Sequence, residues 1–427
     1  MVGKDEFVQC IKDEILEKLS LRNRYNFLNI NLMSILKPKY MNFLREAQNF
    51  YVKFEKRNNI THTEDFYQWI PEIGEQGLIT RVNPFVDAGL NLQPNGMVAE
   101  FMRVLATDFF DPQLAMGMGA TVLAVNPLVL HHENIDIRLQ ALKELITGEK
   151  IGCICITEPE RGSDAVHMLT TADEQEDGSY ILNGEKIYQT NGTKADWAVI
   201  YAVTEKNNGN TMGQFLVDTS WAGWQAERVN IPWTPRMHVG KETFTNLRVP
   251  KEYVLGGPGK GREHLFEGLN LERLGIVILN IAEAWNALSH AVIYCNMREQ
   301  FDQAILKYQG VGFPLGDQWA KTMNLTLAAL HICQIVDEKL EQHNGTLPKQ
   351  LNLALGANAS QLKSQSAKLS ERVCYECANL MGGAGACDNT LMHDLLGISR
   401  IQEMGGGTRQ IQQYIMSLAL RKIFKMI

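Results

Sequence analysis

Apolar residues recur at three- and four-residue spacing over the first 150 positions and again from about residue 262 to the end of the chain. Gln9–Leu21, Lys39–Arg57 and Met97–Phe110 each place an apolar stripe on one helical face. Pro38, Pro71, Pro84 and Pro112 punctuate them. Asp136–Glu149 reads as a further amphipathic helix that stops near Gly148. From Ile151 to about Val254 the texture changes to short β-branched and aromatic runs: IGCICIT, SYILNG, WAVIYAVT, GQFLVDT and ETFTNLRVP. Turn-forming clusters such as Asn207-Asn208-Gly209-Asn210 separate them, which predicts antiparallel β structure. After the glycine-rich stretch Gly256–Gly261 the helical period returns. His264–Asn296 and Pro314–Gln342 are long enough for a helical bundle. The pattern predicts an α+β multidomain chain, helical over 1–150, β over 151–255 and helical over 262–427.

Composition narrows the function classes. The 427 residues are 45% hydrophobic and 21% charged, ordinary for a soluble protein with more than one domain. A net charge of −7 argues against nucleic acid or an anionic membrane as the main partner. The eight cysteines (10, 153, 155, 295, 333, 374, 377 and 387) show no disulfide-framework spacing and suit a reducing compartment. Cys374 and Cys377 form a C-x-x-C within a helical pattern, without a second pair or histidines at zinc-ligand spacing, so no metal site is expected. Met1–Glu17 is studded with charge and does not read as a signal peptide. Leu114–Leu130 is the most apolar run, but it is short for a membrane span and contains Asn126 and Pro127, so a buried helix is expected. The expected location is cytoplasmic.

Three motif groups carry the chemistry. Ile156–Asp164 reads ITEPERGSD. At the end of a strand, backbone N–H and hydroxyl donors can meet the edge of a flat heteroaromatic ring, and Gly162 permits a tight turn that aims Ser163 at a ligand. Leu182–Asp196 reads LNGEKIYQTNGTKAD, and Met404–Gln412 reads MGGGTRQIQ. Together these resemble the acyl-CoA dehydrogenase family, whose signatures are T-E-P-x-x-G-S-D, L-N-G-x-K with T-N-G and A-D, and a closing Gly-Thr. Arg298–Phe301 followed by Tyr308-Gln309 is similar to the family's R-x-x-F-G…F-Q, with Asp302 in place of glycine.

The resemblance spans about residues 150 to 415. It implies an N-terminal helical domain, a middle β domain and a C-terminal four-helix bundle, in a homotetramer with FAD at a subunit interface. Ile154, Ile156, Thr157 and Ser163 would meet flavin or acyl thioester. Tyr188, at the usual tryptophan position, would cover the ring face, and Thr190 would bond near its reactive edge. Arg298, with Phe301 and Gln309, would reach the pyrophosphate of a neighbouring subunit's FAD, since a guanidinium pairs two phosphate oxygens. Gly383, Thr408 and Gln410 match further FAD positions. Asn379 stands where glutamine is common, and Gly397-Ile398 stand where an Arg-Asp pair is usual. The first 30 or so residues exceed the usual family start. Electrons would pass to an electron-transfer flavoprotein.

Many members carry their catalytic glutamate immediately before the closing Gly-Thr; here that position is Gly406. An α-C–H of a thioester is a weak acid and needs a carboxylate within reach, with donors on the thioester oxygen. Glycine keeps the backbone N–H that serves as one such donor. In isovaleryl-CoA and long-chain dehydrogenases the base lies on the first long helix of the C-terminal domain, before an arginine. Glu272 and Arg273 of NLERL match that pattern, although an L-x-x-E-R helix also occurs without catalytic duty. Asp87, in PFVDAGL, is a second candidate. Relatives that form cyclic dienoyl-CoA use an aspartate of the N-terminal domain, and the alternative is a solvent-facing loop residue. His238 and the His131-His132 pair add no zinc-like spacing and no assigned role. The predicted activity is oxidation of a branched or cyclic acyl-CoA to an enoyl- or dienoyl-CoA. A flavin monooxygenase or desulfinase on the same fold, and a non-enzymatic flavoprotein partner, are the alternatives.

Overall fold

In the computed structural model, residues 11–81, 93–131, 135–205, 211–257, 259–343, 349–387 and 390–424 are described. The chain begins with helices α1 (Asp13–Lys18), α2 (Leu21–Leu32), α3 (Pro38–Asn58), α4 (Ile70–Glu75), α5 (Met97–Phe110), α6 (Pro112–His131) and α7 (Ile135–Ile146). Pro38 opens α3 at a position where a missing N–H costs nothing. The buried face of α3 carries Tyr40, Phe43, Leu44, Ala47, Tyr51 and Phe54, the three-and-four spacing seen in sequence. Helix α5 is buried on every side, so most of its polar groups find partners within the protein. Arg103 donates to Glu100 at 2.6 Å. Asp337 caps the start of α5, accepting from the Met97 and Val98 amides at 2.5 and 3.1 Å. The apolar run Leu114–Leu130 lies in α6, whose Leu114, Ala115, Met118 and Val125 are buried.

The extra N-terminal residues are part of the core. Arg24 on α2 is buried and donates to the Phe109 carbonyl at 2.7 Å and to Asn286 Oδ1 at 2.8 Å. Tyr25 donates to the Ala106 carbonyl at 2.6 Å. These bonds tie α2 to α5 and to a long helix of the C-terminal part.

Strands β1 (Gly152–Cys155), β2 (Thr171–Glu174), β3 (Tyr180–Gln189), β4 (Trp197–Glu205), β5 (Thr211–Asp218), β6 (Trp224–Arg228) and β7 (Gly240–Val249) form one sheet in the order β1-β4-β2-β3-β7-β6, with β5 on β4. Four pairings are antiparallel, as the turn clusters predict. The β1/β4 and β2/β4 pairings are parallel, because no hairpin joins those strands and their direction is set by longer connections. Strands β2 and β6 lack an apolar run and escape the sequence pattern. Strand β4 is buried on both faces. Trp197, Val199, Tyr201 and Val203 face the helices α6 and α7, while Ala198, Ile200 and Ala202 face the opposite layer.

Helix α8 (Gly261–Met297) follows, then a small hairpin of β8 (Glu299–Gln300) and β9 (Gln303–Ala304), then α9 (Gln309–Gln342), α10 (Lys349–Met381), α11 (Met392–Met404) and α12 (Arg409–Phe424). Helices α8, α9 and α10 pack on one another, and α12 packs on α10. Helix α8 is apolar enough by composition to cross a membrane, yet 89% of its most apolar window is buried inside the protein. It touches α5, α6 and β5 as well as the bundle, so residues on its first turns face the sheet.

Candidate active site

The TEP strand end and the Thr-Asn-Gly loop meet across β1 and β3. The Ile187 amide donates to the Thr157 carbonyl at 2.9 Å, and Gln189 Nε2 donates to the same oxygen at 3.1 Å. Beneath them Lys186 is fully buried and bonds the Ile156 carbonyl and Glu158 Oε1, both at 3.0 Å. Burial pulls the Lys186 ammonium below its usual range, and Glu158 opposes that pull. Asn191 locks the loop. Its Nδ2 donates to the Gly117 and Gly152 carbonyls at 2.8 and 3.1 Å, and its Oδ1 accepts from Tyr67 at 2.6 Å. Tyr67 also accepts from the His238 amide at 3.3 Å, and His238 Nδ1 lies 3.1 Å from Thr193 Oγ1, so His238 braces this loop.

On that frame Tyr188 stands out of the sheet, 61% exposed, at a register shift of β3 and with φ of 69°. A tyrosine in the left-handed region is uncommon, and such positions cluster at ligand sites. Thr190 is half-buried next to it, and Ser163 is exposed. A tight turn does form in this motif, with mutual backbone bonds between Glu158 and Arg161, but Gly162 just after it has no positive φ and does not use glycine's conformational freedom. A Cβ built there meets nothing within 4 Å, so the residue leaves open space instead.

A narrow cleft runs from this frame to α8. Ile154, Ile156, Leu123, Asn126, Leu265, Gly268 and Glu272 are among its walls. Glu272 and Gly406 face each other. A Cβ built on Gly406 sits 3.5 Å from Glu272 Oε1 and 2.6 Å from Ile276 Cδ1. Gly406 has φ of +61°, a conformation that glycine adopts without steric cost. Burial raises the Glu272 carboxyl to about 7, with Arg273 and Lys363 pulling it back toward ionisation. Arg273 itself is buried and bonds Asn270 Oδ1 at 3.0 Å.

A family model described as acyl-CoA dehydrogenase, C-terminal domain, matches residues 259–420, and one described as acyl-CoA dehydrogenase, middle domain, matches 153–241. An acyl-CoA dehydrogenase of Bacillus subtilis is 30% identical over 378 residues, covering 83% of this chain and 90% of the relative. The chain belongs to the acyl-CoA dehydrogenase family. A mitochondrial isovaleryl-CoA dehydrogenase of Oryza sativa is 29% identical over 305 residues, covering 71% of this chain and 70% of the relative. In fold, the chain is similar to an acyl-CoA dehydrogenase of Bacillus anthracis solved with FAD, with a TM-score of 0.81, 24% identity, and coverage of 92% of this chain and 68% of that one.

Within this acyl-CoA dehydrogenase, the remaining candidates fall in three places. Arg298, Phe301 and Gln309 lie beyond the far end of α8. A straight helix from Glu272 to there spans ~39 Å, so these residues do not reach their own chain's cleft. Phe301 is 88% exposed at a hairpin tip where Asp302, the residue replacing glycine, also has positive φ. Asn379 and Gly383 are exposed at the end of α10. Thr408 caps α12, its carbonyl accepting from the Gln412 amide at 3.0 Å, and Gln410 is exposed. Asp87 lies outside the described residues.

Several site residues escaped the sequence reading. Gln412 is the buried amide of the closing loop and donates to the Gly406 and Gly407 carbonyls at 3.0 and 2.7 Å. Arg236 joins three segments, reaching Asp111 at 2.6 Å and Asp394 at 3.1 Å. Asp394 lies one helical turn before Gly397, where the missing Arg-Asp pair would fall. Gly397 is needed there: a Cβ would meet the Trp233 carbonyl at 2.6 Å. Lysines inside amphipathic helices are usually solvated, so nothing in the sequence marked Lys363, which is fully buried.

Proposed function

We propose that this chain is an FAD-dependent acyl-CoA dehydrogenase that uses Glu272 as its base. The observation that carries the reading is the approach of Glu272 to Gly406. The carboxylate reaches the space that a glutamate at 406 would occupy, so the base is relocated rather than lost. The residues fit the cofactor: Tyr188 offers an exposed aromatic face, Thr190 a hydroxyl beside it, and Gly162 leaves the approach open. Ile154, Ile156, Thr157 and Ser163 would hold the flavin edge and the thioester. Bound FAD supplies the hydride acceptor for the β-C–H bond. The chain's own part is proton removal by the Glu272 carboxylate while the Gly406 N–H donates to the thioester oxygen as enolate charge develops.

The acyl group we propose is branched or cyclic. Gly268 lies one turn before Glu272, and a Cβ there would have no atom within 4 Å, which widens the cleft beside the base. Arg298, Phe301 and Gln309 serve a neighbouring copy in this reading, which implies a homotetramer, with an electron-transfer flavoprotein as acceptor. Anaerobic mixing of the flavin-loaded protein with butyryl-, isovaleryl- and cyclohexanecarboxyl-CoA tests it. At least one should bleach the flavin, and Glu272→Gln should slow bleaching by at least a hundredfold while retaining flavin. A variant that bleaches at the wild-type rate sinks the assignment. Failure of every thioester, with rapid reoxidation of chemically reduced flavin by oxygen, would turn the reading toward monooxygenase chemistry.

A further inference from the structure

Lys363 lies in the middle of α10 with its side chain fully buried. A buried ammonium needs partners that repay its lost hydration. Its Nζ donates to the Glu403 carbonyl at 2.9 Å and the Gly407 carbonyl at 2.8 Å. The first of these is in the last turn of α11, where carbonyls have no helical partner. The second lies just beyond Gly406. The two bonds therefore bracket the glycine whose amide the proposed reaction uses. Gln412 closes the same loop from the other side through the Gly406 and Gly407 carbonyls. Gly406 and Gly407 both have positive φ, so the loop's own backbone does little to restrict it, and the outside donors hold it in place.

The loop that this ammonium holds is the one beside the proposed base, since a Cβ on Gly406 would sit 3.5 Å from Glu272 Oε1. The charged groups around the ammonium are Glu272 and Arg273 on α8 and Glu403 on α11. Burial pulls Lys363 down to about 8, against the support of Glu272 and Glu403, and Lys363 in turn draws Glu272 toward its ionised form.

We infer that Lys363 is a positioning residue of the active site, fixing the Gly406 loop through two carbonyls while its charge favours the Glu272 carboxylate. This rests on Glu272 being the base, so the test separates the two claims. The flavin-loaded full-length protein is compared with Lys363→Arg, Lys363→Gln and Lys363→Met. Hydrogen exchange over residues 400–412, without substrate, reads the loop. Infrared titration of the Glu272 carboxyl, assigned by its disappearance in Glu272→Gln, reads the charge. Lys363→Met should raise loop exchange about tenfold, as for loss of a charge-assisted bond. It should also move the Glu272 titration up by about one pH unit. Lys363→Gln keeps donors without charge, so it should preserve the loop but still shift Glu272. Lys363→Arg should restore both. Unchanged exchange and unchanged titration in Lys363→Met would overturn the inference, even if that variant is less stable. If no acyl-CoA bleaches the wild type, the dehydrogenase reading fails, and the two substrate-free measurements still decide Lys363.

Discussion

Replacing Gly406 by alanine tests whether this glycine is a structural requirement of the proposed Glu272 base. The backbone at 406 sits at φ of +61°, which costs an L-residue about 1–2 kcal/mol. The new Cβ would lie 2.6 Å from Ile276 Cδ1, closer than carbon atoms approach. That methyl is the end of a flexible side chain, so it can rotate away at about 1 kcal/mol. The sum, about 2–3 kcal/mol, is a fraction of the ~5–15 kcal/mol that holds a folded domain, so the variant should fold. Catalysis should suffer more. The added methyl stands 3.5 Å from Glu272 Oε1, in the space where the proposed reaction has the substrate's α-carbon present its proton. A displacement of about 1 Å there costs on the order of a hundredfold in rate. Urea unfolding measures the first effect and anaerobic flavin bleaching the second. A Gly406→Ala protein that unfolds at the wild-type urea concentration and bleaches at the wild-type rate would refute the reasoning.

Further outcomes follow from the ionisable groups. With the Glu272 carboxyl raised to about 7, bleaching should fall about tenfold per unit below pH 7, because only the ionised form accepts the proton. The folded state then binds that proton more tightly than the unfolded chain, whose value is 4.5, so the group's contribution to stability falls as pH rises through 4.5 to 7. Unfolding at pH 5 and pH 8 should therefore show a loss in wild type that Glu272→Gln lacks; equal losses would contradict it. Arg236→Leu should destabilise the protein by about 3 kcal/mol at neutral pH, since the buried carboxylates lose their shared guanidinium and keep only His62 beside Asp111 and His393 beside Asp394. Burial alone would raise the Asp111 carboxyl, but Arg236 and His62 outweigh it and hold it well below its usual value of 3.8. Stability from that pairing is present above pH 3.8 and is lost as pH falls further, so the deficit in Arg236→Leu should shrink in acid. A deficit that stays constant from pH 7 to pH 3 would count against the ion-pair account.

Local order was legible along the chain wherever one face of an element is buried and the other is wet. The stripe on α3 and the extent of α5 follow from apolar spacing. The β-branched runs fell on β1, β3, β4, β5 and β7, while β2 and β6, short and polar, left no trace. The ITEPERGSD and TNG motifs were readable because each packs its residues into a few consecutive positions. Some partnerships were not readable. Arg24 bonds Asn286, Asp337 caps α5, Lys363 holds the Gly406 loop, and Arg236 spans Asp111 and Asp394. Each joins side chains far apart in sequence, and each residue type alone most often lies in water.

The sequence by itself determined that Gly406 lacks a carboxylate and that Glu272 precedes an arginine on a long helix. It could not determine that the two positions face one another. Periodicity reports which face of a helix is buried, a property set by near neighbours. The separation between α8 and the loop after α11 is set by how α8, α10 and α11 pack, with Lys363 and Gln412 closing the gap. Only that packing brings Glu272 Oε1 into the space beside Gly406, and desolvation there, rather than anything in its neighbours along the chain, lifts the carboxyl to about 7.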